Sequence, residues 1–155
     1  MTELLFFVLG VINSICLIFI FLIRKDRLDL LQRLGRYYFI LAAPALYSIF
    51  LVLNESKDVR YIIFLVIFLA FLFIEWLFDY RVKINFRENW IRNWKCSVPY
   101  LGLYYAINYG FVVMPWKTNI AWGIIMLCLF VVQIIANIRS HPKLNTWVVI
   151  FTLKS

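Results

Sequence analysis

Two carboxylates, Glu75 and Asp79, stand four residues apart at one end of a long uncharged run that begins at Tyr61. On a helix that spacing puts both on one face. An acid inside hydrocarbon is expensive, and it is kept for a partner, a cationic solute or proton exchange. The pair could share a divalent ion, but two acids at one helical spacing are a thin metal signal. The chain shows no complete nucleophile and base arrangement, and no Cys/His cluster at metal spacing, so no metal is assigned. Glu75 lies six residues before Arg81, about 9 Å along a helix axis, which makes it the acid on which chemistry would be centred. Asp79, close to Arg81 and Lys83, reads first as an interfacial ion-pair residue and second as a site residue.

Other polar residues fall at matching depths. Gln133 precedes Arg139 by the same six residues, and Asn137 precedes it by two, as Asp79 precedes Arg81. Two polar rungs between the third and fifth uncharged runs are therefore expected. Tyr100, Tyr104 and Asn108 recur every four residues and form one stripe on the fourth run, starting near the level of Glu75. Asn13 and Ser14 in the first run, with Tyr47 and Ser48 in the second, lie near mid-depth. Glu75, Asp79, Tyr100, Tyr104, Asn108, Gln133, Asn137 and Asn13 together predict a polar pocket open to the cytoplasmic side. The plainer reading of Gln133, Asn137, Tyr104 and Asn108 is hydrogen bonding between helices. Gly102, Ala106 and Gly110 recur on the opposite face of the fourth run, a small-residue stripe of the kind that lets a helix of the bundle or of a second copy approach closely.

The elements that must hold these residues follow from composition. With 65% hydrophobic and 15% charged residues, the chain is too apolar for a soluble domain and reads as an all-α polytopic membrane protein. Five apolar runs, at about 4–23, 37–54, 61–80, 96–116 and 118–138 and uncharged but for Glu75 and Asp79 in the third, predict a single transmembrane bundle of five helices over residues 1–143. Residues 24–36 and 81–95 mix basic and apolar side chains as amphipathic interfacial segments do. The apolar part of the 144–155 tail covers only about 15 Å as a helix and is placed at the interface or against the bundle. Pro44 predicts a kink in the second span, and the stretch from Pro115 to Asn119 a tight hairpin. Residues 24–36, 81–95 and 139–155 carry 13 of the 16 basic residues, which orients the amino terminus outside and the carboxyl terminus in the cytoplasm. The first apolar run starts almost at Met1 without a basic leader and reads as a retained span, not a cleaved signal.

The basic excess fits anionic lipid headgroups and no nucleic-acid motif. Cys16, Cys96 and Cys128 read as thiols buried in the membrane, and Trp76, Trp90, Trp94, Trp116, Trp122, Trp147, Tyr37, Tyr38, Tyr61 and Tyr80 as belt residues at its boundaries. The stretch Arg139-Ser-His-Pro-Lys143 is similar to the Arg-His-Pro-containing cofactor motif of some five-span membrane methyltransferases in a few residues only. Its arginine and histidine are not adjacent and the downstream glycine and glutamate pattern is missing, so His141 reads as a solvated tail residue and no cofactor is assigned. The expectation is a multi-pass protein of a cell membrane, able to self-associate, that binds or transports a small or lipid-like solute at Glu75. The alternatives are an enzyme acting on a lipid or isoprenoid at the cytoplasmic face and a non-catalytic assembly subunit.

Overall fold

The computed structural model describes residues 1–24, 35–82 and 94–140, and every regular element among them is helical. The described residues form five helices: α1 (Thr2–Arg24), α2 (Gly35–Asn54), α3 (Val59–Trp76), α4 (Trp94–Thr118) and α5 (Ile120–Ser140). Four of them, α1, α2, α3 and α5, are long and apolar enough to cross a membrane. The fifth, α4, has the length, at 25 residues, but it carries Lys95, Ser97, four tyrosines, Asn108 and Lys117. The amphipathic segments expected between α1 and α2 and between α3 and α4 fall largely outside the described residues, as do His141, the 144–155 tail and the Asp79 side chain.

Local chemistry sets the element ends. Pro44 has no N–H to give the carbonyl four residues back, and α2 tightens into a 3₁₀ turn over Phe39–Leu41 just ahead of it. The Ser48 hydroxyl then donates back to the Pro44 carbonyl at 2.7 Å. Asp58 caps α3, its carboxylate accepting from the Arg60 backbone N–H at 2.9 Å. Past Trp76, α3 continues as a π-helix over Leu77–Val82, so Glu75 and Asp79 are not related by ordinary α-helical winding. The hairpin expected over Pro115 to Asn119 is tighter than its sequence suggests. Helix α4 runs through Pro115 to Thr118, and Asn119 alone separates it from α5, its side chain accepting from the Ala121 N–H at 2.9 Å.

The helices alternate in direction. Lys57, just past α2, pairs with Glu3 at the start of α1 at 3.1 Å, and Tyr61 near the start of α3 meets Thr118 at the end of α4 at 3.4 Å. One end of the bundle therefore gathers the starts of α1, α3 and α5 with the ends of α2 and α4. Consecutive helices pack on one another from α2 to α5, α5 packs on α1, and α1 touches α2 and α4, which closes a ring. Its core is aromatic and aliphatic: Phe6, Leu9, Leu65, Phe68, Phe71, Phe111, Met114 and Met126 are all but fully buried.

Glycine sets how closely the helices approach. A Cβ on Gly110 would run into the Phe64 ring, and one on Gly10 would stand 2.8 Å from the Phe111 ring. The small-residue stripe of α4 is thereby divided. Gly110 is buried against α3, whereas Gly102 is exposed, with no neighbouring group among the described residues within 4 Å of its Cβ position.

Candidate functional site

Glu75 owes its position to the register of α3. The buried stripe of this helix runs Tyr61, Leu65, Phe68, Phe71, Leu72 and Glu75, spaced three and four apart as one helical face requires. The carboxylate is thus carried into the bundle by the same periodicity that buries Phe71, and the residue is only 8% exposed. From α4, Tyr100 donates its hydroxyl to Glu75 Oε1 at 2.6 Å, a short bond of the kind a carboxylate accepts. Phe71 lies against both tyrosines of the α4 stripe, its ring centroid 5.4 Å from that of Tyr100 and 6.4 Å from that of Tyr104.

A second hydrogen-bonded pair adjoins the first. Tyr38, from the first turn of α2, donates to Asn13 Oδ1 of α1 at 2.6 Å. Glu75, Tyr100, Tyr104 and Cys16 all lie close enough to Tyr38 to act on its hydroxyl electrostatically. Four helices therefore converge on one polar cluster made of a carboxyl, three phenols and an amide. Such a set can hold a cationic group, exchange a proton or hydrogen-bond a polar solute. Among the described residues no three His, Cys, Asp or Glu side chains come together in a way that could hold a metal ion.

The residues singled out by sequence are distributed unevenly. Glu75 and Tyr100 meet directly, Tyr104 lies beside them across the Phe71 ring, and Asn13 is held by Tyr38. Asn108 is buried as well, but its amide donates to the Tyr104 carbonyl one turn back at 2.8 Å and so serves its own helix. Gln133 is fully buried on α5 and makes no bond to Glu75. Asn137 is half-buried, and its carbonyl accepts the Ser140 hydroxyl at 2.7 Å. The backbone of Asp79 lies in the π-helical turn.

Tyr38 is the site residue that sequence reasoning assigned elsewhere. At 5% exposure it is a core residue, not a boundary aromatic, and Tyr61 is buried to the same degree. A boundary position and an inward-facing position look alike in sequence when a tyrosine opens a span. The polar partner Asn13, 25 residues away, was the available signal. The three cysteines are unbridged, with Cys16 and Cys96 half-buried and Cys128 exposed on the bundle surface.

Comparison with known protein families, with curated proteins and with solved structures gave no match to this chain.

Proposed function

We propose that this chain is an integral membrane protein of five spans, with its amino terminus outside and its carboxyl terminus in the cytoplasm. In this reading it binds or transports a small or lipid-like solute at a polar site centred on Glu75 and open toward the cytoplasmic side. The observation that carries the reading is the Glu75–Tyr100 pair, a carboxyl held at 2.6 Å by a phenol between two packed helices, since an acid buried in a span is costly and marks a functional site first. Helix α4 counts as a span because its buried face holds Ser97, Tyr104 and Asn108, so these polar groups are screened from lipid by its neighbours. The alternation of helix direction, together with basic residues concentrated in 24–36, 81–95 and the tail, supports the orientation.

Purified protein reconstituted in vesicles tests the assignment. Glu75→Gln keeps the shape and the hydrogen-bonding capacity but removes the charge and the exchangeable proton. Proton-linked or cation-linked flux present in the wild type is expected to be lost in this variant. Flux that survives Glu75→Gln unchanged removes Glu75 from the mechanism.

A further inference from the structure

The Glu75–Tyr100 and Tyr38–Asn13 pairs leave part of the polar interior unaccounted for. Gln133 is 0% exposed, and neither its amide oxygen nor its amide nitrogen has a hydrogen-bond partner among the described residues. The same holds for the Tyr104 hydroxyl, the Ser14 hydroxyl and Asn13 Nδ2, all on residues at most 2% exposed. A buried polar atom without a partner destabilises the fold, and native interiors keep few of them.

These groups belong to one neighbourhood. Tyr38 bonds Asn13, and Phe111 of α4 lies against Gly10 and Phe6, which places the middle of α1 beside α4. Between α1 and α5, Phe7 stacks on Trp122 at 4.7 Å, and a Cβ on Gly10 would stand 3.0 Å from Met126 Cε. In that parallel register Gln133 stands level with Leu17 and Ile18, one turn past Ser14 in the direction of Glu75. Phe130, one turn before Gln133, meets Tyr105, the residue next to Tyr104, at 6.3 Å. Phe21 of α1 lies 6.2 Å from Tyr104.

Resting on the Glu75 reading above, we propose that Gln133, Tyr104, Ser14 and Asn13 form the uncharged half of the same binding site and receive a hydroxyl-bearing part of the solute. The set offers both donors and acceptors and no charge. A hydroxyl, which donates and accepts, is matched by it, whereas a hydrocarbon group leaves every one of these atoms unpaired and an ion finds no counter-charge. Water offers the same chemistry, and the two sources are separated by the test below.

The full chain in detergent is melted alone and with three probe series of two to six carbons: amino alcohols from ethanolamine upward, alkylamines of matched length, and diols. Without probe, Gln133→Leu is expected to raise the unfolding midpoint by about 2–8 °C, because an apolar side chain of similar size removes an unpaired amide. In the wild type, amino alcohols are expected to raise the midpoint more than the matched amines. That hydroxyl increment disappears in Gln133→Leu and Tyr104→Phe, while Glu75→Gln removes the part common to all amines. A lowered midpoint for Gln133→Leu overturns the proposal, since the amide is then held by structural bonds. A stabilised Gln133→Leu with no hydroxyl increment in the wild type at any chain length also overturns it, leaving water as the occupant. Diols that stabilise the wild type but not Gln133→Leu, with amines inert throughout, support the hydroxyl site and remove Glu75 from it.

Discussion

Gly110 and Gly102 lie two turns apart on α4, and the same substitution at the two positions is expected to have opposite effects. Alanine gains helix propensity over glycine equally at both sites, by about 0.8–1 kcal/mol. At Gly102 no packed neighbour opposes that gain, because no group from another part of the described chain lies within 4 Å of the new methyl. At Gly110 the methyl would run into Phe64 Cδ1 and Cγ, well inside ordinary carbon contact. The ring cannot swing clear by a terminal rotation, since Cγ is the atom that joins it to its stem. Either α3 and α4 separate or Phe64 leaves its place beside Tyr109, whose ring it meets at 6.2 Å. Overpacking of this kind costs about 1–3 kcal/mol. Propensity cancels between the two variants, so this cost is also the expected difference between them, or about 2–12 °C in midpoint for a chain of this size. Tryptophan fluorescence during thermal unfolding in detergent reads it. Phe64→Leu combined with Gly110→Ala is expected to recover part of the loss, because the two residues are in contact and their effects are not additive. Equal midpoints for Gly110→Ala and Gly102→Ala would refute the inward role of Gly110. A change of oligomeric state in Gly102→Ala, read by size-exclusion chromatography with light scattering, would show that the exposed glycine faces a second copy.

Two other predictions concern the ends of the polar interior. Tyr38→Phe deletes the donor to Asn13 Oδ1 and leaves a buried amide oxygen unpaired, a cost of about 1–3 kcal/mol that lowers the melting midpoint. Adding Asn13→Leu to it is expected to restore much of the loss; a Tyr38→Phe midpoint equal to wild type shows the bond carries no stability. At the opposite end, Thr2, followed by the amino-terminal ammonium, holds the Glu55 carboxyl below its usual range, and the hydrogen bond and charge of Glu3 hold the Lys57 ammonium above its own. The Glu55 contribution is present above the unfolded carboxyl pKa and lost as pH falls through the depressed folded value. The Lys57 contribution is present below the unfolded lysine pKa and lost as pH rises through the raised folded value. Amide exchange at the α2–α3 turn is therefore expected to quicken at both extremes, and added salt should weaken the effect because these pairs are exposed. Exchange that is flat with pH after correction for its intrinsic rate would remove the clasp.

The helices themselves are written in the sequence. Uncharged runs of about span length, ended by Arg24, by the polar turn after Asn54 and by Arg139, leave the backbone no alternative to helix if they are to satisfy their hydrogen bonds in an apolar setting. Glu75 was legible too, because an acid on the buried face of such a run is conspicuous by type alone. Partner choice was not legible. Residue spacing gives the face of each helix and its depth, but it does not give the angle at which one helix meets the next. Equal depth suggested that Gln133 would meet Glu75 and Asn137 would meet Asp79, the Asp79 side chain lying outside the described residues. The packed bundle instead sets Tyr100 of α4 against Glu75, brings Tyr38 in from the opening turn of α2, and leaves Gln133 beside α1 without a partner among the described residues. The same limit explains the divided stripe on α4, where one glycine is covered by Phe64 and the other is open. What decides these contacts is how large and small side chains interlock between helices, Gly10 under Phe111 and Gly110 under Phe64. That complementarity is a property of pairs of surfaces, which exists only once the helices have packed.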